Sequence, residues 1–463
     1  MFLADAINWA GAFDWSAAWA VLTLRDYNTR VVALGAACLG LASGVVGTFV
    51  LLRKRSLLGD ALSHATLPGI AAAFLLMSAA GATGKSLPGL LLGATLSGVL
   101  GVVCVLLIVH HTRIKQDAAI GIVLGVFFGV GMALMGIIQN AGTGHAAGLS
   151  SFIYGRAASM LAGEALLIAI GSSAAALACA LLFKELTLLC FDPGFGGAQG
   201  WPIVLLDSLL MALVVGVTVI GLQAVGLIMM VALLVIPPAA ARFWTERLWA
   251  MVLISGGCGA LSGLLGAMLS ALTPRLPSGA VIVLVASGLF GLSMLLGGAR
   301  GIVARAVGGW RVARRIARQH LLRAVYEFTE GAAGAPRAAR GAPRVPVAAL
   351  LPLRSWSDFH LRRELERARR DGLVRRAAAG AYELTGAGVV EARRVTRNHR
   401  LWELFLIRHA DIAPSHVDRD ADEVEHVLSQ EMIAELEGEL TADHPELAAP
   451  PSPHRLPAEG GGA

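Results

Sequence analysis

The chain has 463 residues, 56% of them hydrophobic and only 15% charged, with a formal net charge of +6; a soluble protein carries about 25% charged residues. Long apolar runs fill residues 30–300 and most of the charge lies in 303–463, which excludes a purely water-soluble protein and predicts two parts in different solvents. Cys38, Cys104, Cys179, Cys190 and Cys258 sit in or beside apolar runs without a close pair, so neither a disulfide framework nor a zinc–cysteine site is expected.

Residues 1–29 form an N-terminal segment in which Asp5 and Asp14 interrupt any apolar core, against the pattern of a cleaved leader. Nine segments then follow that could cross about 30 Å of hydrocarbon: 30–52, 62–80, 89–110, 119–140, 163–184, 204–221, 223–241, 249–272 and 279–298. The sixth and seventh are separated only by Leu222 and Gln223, so eight spans plus a re-entrant hairpin is an equal reading. Basic residues alternate between loops: Arg53 to Arg55, His111 to Lys115, Lys184, Arg242 to Arg247 and the arginines from Arg300 fall on one side, whereas Lys85, Arg156 and Arg275 fall sparsely on the other. The rule that positive loops stay inside makes the first set, and everything after residue 300, cytoplasmic. Glycine rows at Gly121, Gly125 and Gly129 and at Gly40 and Gly44 are the small-residue pattern that lets helices approach closely in lipid.

Residues 79–86 read AAGATGKS, a loose phosphate-loop pattern. Such a loop needs a preceding strand and a following helix in water, and here it falls on the outer side between two spans. Any ATP must therefore be bound by another chain.

The segment from Ser56 to Gly69, SLLGDALSHATLPG, carries Asp60 and His64 four residues apart, on one helix face. At about 1.5 Å per residue from Arg55, His64 lies about 13 Å inside the cytoplasmic edge. A carboxylate and an imidazole at that depth are costly unless paired or metal-bound, and together they suit manganese, iron or zinc. A capping aspartate and a histidine bonded to a carbonyl is the plainer alternative. Asp117 reads as an N-cap; Asp207, Gln139 and Asn140 fall at span ends where water is available; His145 reads as an exposed loop residue.

This segment resembles the signature of the manganese/zinc/iron permease family of ABC transporters (the ABC-3 type). Further ordered matches are Thr112 to Gly121, Ser151 to Ala158, Phe191-Asp192-Pro193 with Ala198 and Gly200, and Leu222 to Arg242. The resemblance spans about residues 25–300. It implies a permease domain over 30–300, two permease chains (two copies, or this chain and a paralogue) around a central path, a cytoplasmic ATPase subunit and an extracytoplasmic metal-binding protein. It places Asp60 and His64 on the metal path, and Asp192, Pro193, Ala198 and Gly200 in the turn that couples to the ATPase. Gly196, Gly197 and Gln199 depart from the bulkier or charged residues usual there, and each helical glycine costs up to about 1 kcal/mol, which works against the coupling helix that the resemblance implies for Asp192 to Gly200.

After Arg300, the basic amphipathic stretch Arg305 to Arg318 is expected to run along membrane lipids. A Gly/Ala/Pro/Arg loop (331–345), a short helix (345–353), a longer helix (357–371) and a two-stranded wing (373–384) form a winged helix-turn-helix, and helices near 386–410 and 417–439 follow. Here His399 and Glu403 share one face, as do Asp422, Glu425 and His426. Residues 318–440 resemble the metal-binding and dimerisation region of the diphtheria-toxin-repressor/manganese-repressor family. That resemblance makes His399, Asp422, Glu425 and His426 metal ligands, Glu403 an ancillary one and His320 a further one, while Arg323 takes a position usually acidic and works against a full two-metal site. The helix 357–371 is basic but lacks that family's recognition-helix start, so DNA is not expected as a partner. The fold class expected is an all-α polytopic bundle of eight to nine spans, with a small cytoplasmic winged-helix and α-helical dimerisation domain (303–440) and a tail (441–463) too rich in Pro, Ala and Gly to fold.

The function expected is a permease subunit of an ABC importer for a divalent transition metal, manganese before zinc or iron, with a metal-responsive domain. It needs no catalytic cofactor and is not itself an enzyme, and it belongs in a bacterial cytoplasmic membrane. The alternative is a membrane-tethered, metal-dependent transcriptional regulator.

Overall fold

The computed structural model describes residues 23–80, 86–140, 160–272, 276–332, 344–353, 356–377 and 380–409, with Trp19 and Val21. The chain divides into two compact units, Met1–Arg305 and Ala306–Ala463.

The first unit is helical. Its elements are α1 (Tyr27–Leu52), α2 (Leu57–Ala79), α3 (Leu87–His111), α4 (Gln116–Asn140), α5 (Ala162–Leu181), α6 (Phe183–Phe191), α7 (Pro193–Ala198), α8 (Ile203–Val225), α9 (Leu227–Ala241), α10 (Leu248–Leu272) and α11 (Ser278–Leu296). Among the described residues, eight of these are long and apolar enough to cross a membrane: α1 to α5, α8, α10 and α11. α1 is the central one, with two-thirds of its apolar window buried against about a fifth in α4, α5 and α11. Its start is fixed by Asp26, whose carboxylate accepts from Thr29 N at 2.8 Å, supplying one of the N–H partners a helix start lacks.

Glycine decides how closely α1 lies on α10. A Cβ on Gly40 would collide with the Gly259 carbonyl, one on Gly44 with the Ser255 carbonyl and one on Gly263 with the Ala36 carbonyl. Contact this close lets Ser255 Oγ donate to Gly44 O at 2.7 Å across the crossing, the kind of packing that holds helices together in lipid. The row Gly121, Gly125 and Gly129 behaves otherwise: nothing within the described residues approaches those three. Both rows share the sequence pattern, and among the described residues only α1 has a partner helix laid along its row.

α8 continues through Leu222 and Gln223, so the break comes later than their position implied. It falls at Gly226, whose φ of 84° is a conformation that costs glycine little. α9 then has 15 residues, about 22 Å and short of the hydrocarbon thickness. None of its described side chains is exposed, and it packs against α1, α2, α10 and α11.

The second unit begins within α12 (Ile302–Ala332) and continues with β1 (Val345–Pro346), α13 (Val347–Leu350), a 3-10 turn (Leu351–Leu353), α14 (Asp358–Arg370), β2 (Val374–Arg376), β3 (Ala381–Leu384) and α15 (Gly386–His409). The strands form an antiparallel sheet in the order β1-β3-β2, pairing Val345 with Tyr382 and Val374 with Leu384. Gly380, at φ 75°, turns the wing between β2 and β3. Leu321, Leu322 and Val325 of α12 pack with Leu361 and Leu365 of α14 and with Val374 and Leu384 of the sheet. This is a winged helix-turn-helix. The helix expected near 417–439 lies outside the described residues.

Candidate functional site

Asp60 is the fourth residue of α2, where the unpaired N–H groups of the helix start favour a carboxylate. One turn on, His64 turns its ring back toward it, with Nε2 3.5 Å from Asp60 Oδ1. His64 also packs edge-on against Phe128 of α4, ring centroids 4.9 Å apart. Its other nitrogen, Nδ1, is buried with no hydrogen-bond partner among the described residues. The carboxylate stays more than a third exposed and the imidazole about a fifth, so both remain approachable. Two donors are fewer than a divalent metal takes, and among the described residues no three His, Cys, Asp or Glu side chains converge to hold one.

The turn from α6 to α8 carries the expected coupling residues. Despite its glycines, Pro193–Ala198 is helical. Asp192 caps it, accepting from Phe195 N at 2.8 Å, and Pro193 occupies the first turn, where no N–H is needed. Gly196 is required for packing, because a Cβ there would press within about 3 Å of Ile203 and Leu188. Ala198 ends this helix and Gly200 reverses the chain at φ 85°. Phe191, Phe195 and Trp201 are exposed around it, an aromatic surface whose energetic weight residue type alone does not give away.

Asp207 is not a solvated span end. It is 7% exposed and lies between two arginines of the α1–α2 loop. Arg55 Nη1 donates to both its oxygens at 2.7 Å, and Arg53 Nη2 reaches Oδ1 at 3.2 Å. Arg53 Nη1 also donates to Leu189 O in α6 at 2.9 Å. The loop leading into the Asp60/His64 helix is thereby tied to both flanks of the coupling turn. Arg53 and Arg55 belong to a basic loop that sequence alone reads as an orientation signal, and their partner is 152 residues away from Arg55.

In the second unit, His399 and Glu403 are both wholly buried and joined, Nε2 to Oε1, at 3.1 Å. Arg323, at 2% exposure, lies 3.4 Å from Glu327, so the cation in the usually acidic position is already neutralised within α12. His320 is half-buried on the same helix. Asp422, Glu425 and His426 lie outside the described residues, so the full ligand set is not seen together. On α14, Arg362 is paired with Asp358, Arg367 with Glu364 and Arg369 with Glu366. Much of the basic charge that a phosphate backbone would meet is thus engaged within the helix.

The family profile described as the ABC 3 transport family matches residues 25–297, every span of the first unit. The chain belongs to the ABC 3 transport family. A second profile, the iron dependent repressor, metal binding and dimerisation domain, matches residues 385–446. The chain is 39% identical over 399 residues to the manganese transport system membrane protein MntC of Bacillus subtilis, covering 86% of this chain and 88% of that one. It is 46% identical over 278 residues to the zinc transport system membrane protein TroC of Treponema pallidum, covering 60% and 92%. The first match is longer than the permease unit, so that relative shares part of the second unit as well. A solved structure of PsaBC from Streptococcus pneumoniae in complex with Fab superposes with a TM-score of 0.52 at 30% identity, over 60% of this chain and 94% of that one. The protein is therefore a multi-pass ABC permease carrying a repressor-type C-terminal domain, and its spans are more than an anchor for a transcriptional regulator.

Proposed function

We propose that this permease imports a divalent transition metal, manganese foremost with zinc and iron as competitors, along a path that passes Asp60 and His64. The observation that carries the reading is the pair itself: a carboxylate and an imidazole on one helix face, Nε2 3.5 Å from Oδ1, with both side chains partly exposed. Relatives named for manganese and zinc transport support the substrate class. Because one chain offers two donors where a metal needs more, a second permease chain supplies the matching pair, whether a copy or a paralogue. The metal reaches the path from an extracytoplasmic binding protein. His64 and Asp60 exchange their mutual contact for metal coordination, and imidazole–carboxylate ligation is weak enough, beside thiolate, to release the ion inward.

ATP is hydrolysed by a separate cytoplasmic subunit seated on the turn from Asp192 to Gly200. Its exposed Phe191, Phe195 and Trp201 supply the aromatic anchors that such interfaces favour. The second unit lies in the cytoplasm and senses the transported metal through His399, Glu403, Asp422, Glu425 and His426, with His320 as a further donor, and DNA is not its partner. Vesicles containing the chain and its ATPase should accumulate radioactive manganese only with ATP, and unlabelled zinc or iron should compete. Absence of ATP-driven flux for all three metals would refute the assignment.

A further inference from the structure

The second unit contains a groove that neither the metal path nor the repressor-type domain accounts for. It has a volume of about 470 Å³ and lies between α12 and α14, lined by Trp310 and by Arg311, Arg314, Arg315, Arg318 and Arg367, together with the carboxylates Glu364 and Asp371. The two carboxylates are already engaged: Glu364 pairs with Arg367, and Asp371 lies 3.9 Å from Arg314. Arg311 and Arg315 have no ion-pair or hydrogen-bond partner among the described residues, and Arg318 Nε is buried without a hydrogen-bond partner. The groove therefore holds an excess of positive charge with donors to spare.

Two further observations say what the charge is for. Arg314 stacks over the Trp310 ring at 5.5 Å, and Trp310 continues an exposed apolar stripe formed by Val303 and Val307 on the same face of α12. α12 also follows directly from the last span, since only five residues separate Leu296 from Ile302. An exposed apolar stripe, an indole and a fan of arginines in succession along one helix match the layers of a membrane surface: acyl boundary, interface and phosphate. We infer that this groove is a binding site for the phosphate of an anionic phospholipid headgroup, and that it fixes the winged-helix unit to the inner leaflet. Arg311, Arg315 and Arg318 bind the phosphate, Trp310 sits at the interface, and Val303 and Val307 enter the apolar boundary. The inference goes beyond the transport reading and stands without it, because no metal or ATP is needed to test it.

The test uses the full-length chain in nanodiscs of phosphatidylcholine alone or mixed with phosphatidylglycerol. Amide hydrogen exchange is followed over residues 305–318, with the buried stretch Leu321–Val325 as an internal control of folding. Anionic lipid should slow exchange in 305–318. The double variant Arg311→Gln/Arg315→Gln should lose that protection, by about five-fold for each arginine removed, with Leu321–Val325 unchanged. High salt should weaken the protection in the same direction. Equal exchange in the two bilayers would overturn the inference. Equal protection in phosphatidylcholine on adding inorganic phosphate would overturn the lipid assignment in favour of a free anion. Protection that needs the ATPase subunit and ignores lipid charge would make the groove a protein contact instead.

Discussion

Replacing Asp207 with alanine removes the carboxylate shared by Arg53 and Arg55. The two arginine side chains are 17% and 10% exposed, so neither charge can turn to bulk water. Arg53 keeps its bond to Leu189 O; Arg55 keeps nothing comparable, and its Nε is already buried without a hydrogen-bond partner. Breaking a buried pair from one side costs about 3–5 kcal/mol, whereas an exposed pair is worth about 1 kcal/mol or less. Scaled as for soluble domains of similar size, that loss lowers the melting temperature of the detergent-solubilised chain by roughly 5–8 °C. Asp207→Asn retains an oxygen to accept from one arginine and should lose about half as much. The decisive comparison is Asp207→Ala combined with Arg55→Met, since removing the stranded charge should recover part of the loss. A melting temperature for Asp207→Ala within about 2 °C of wild type, or strict additivity in the double variant, would refute the buried-network argument.

Gly259→Leu should separate α1 from α10, where Gly40 leaves no room for a Cβ, and abolish folded protein in size-exclusion chromatography; Gly121→Leu, where an added Cβ meets nothing within 4 Å among the described residues, should leave the solubilised monomer intact. Gly196→Val should disturb the short helix packed on Ile203 and Leu188 and cut ATPase co-purification, with manganese binding by the chain preserved. Hydrogen bonding from Arg394 holds the Glu391 carboxyl below its ordinary value of 4.5. A lowered folded-state value means that its stabilisation is present above that pH and fades as pH falls through the folded value. Glu391→Gln should therefore lower the melting temperature near neutrality and flatten the acid limb below about pH 5, where variant and wild type converge.

The spans, the winged-helix order and the Asp60/His64 spacing were legible because each rests on local pattern: apolar length, turn residues, and a four-residue helical repeat. Asp207 was read wrongly for the opposite reason. Its partners lie some 150 residues away, and position near a span end carries no information about what folds over it. The same holds for the two glycine rows, alike in pattern but only one with a neighbour among the described residues. The α8–α9 break moved from Gln223 to Gly226 because hydropathy marks where polarity rises, while the backbone turns where a positive φ costs least. The helix at Pro193–Ala198, implied by the family resemblance and opposed by glycine propensity, forms because Asp192 caps it and Gly196 packs on Ile203 and Leu188. Ligand spacing placed His399 beside Glu403 correctly in register, and their complete burial is a tertiary fact that spacing does not contain.

The central claim is that the transported metal is held by Asp60 and His64. Pulsed electron paramagnetic resonance of manganese bound to the full-length chain, freed of competing sites by Glu425→Ala/His426→Ala, reads directly whether an imidazole nitrogen is coordinated. Nitrogen modulation is expected in that background, and its loss when His64→Gln is added. Nitrogen modulation that persists without His64, or bound manganese showing none while His64 is present, would contradict that claim.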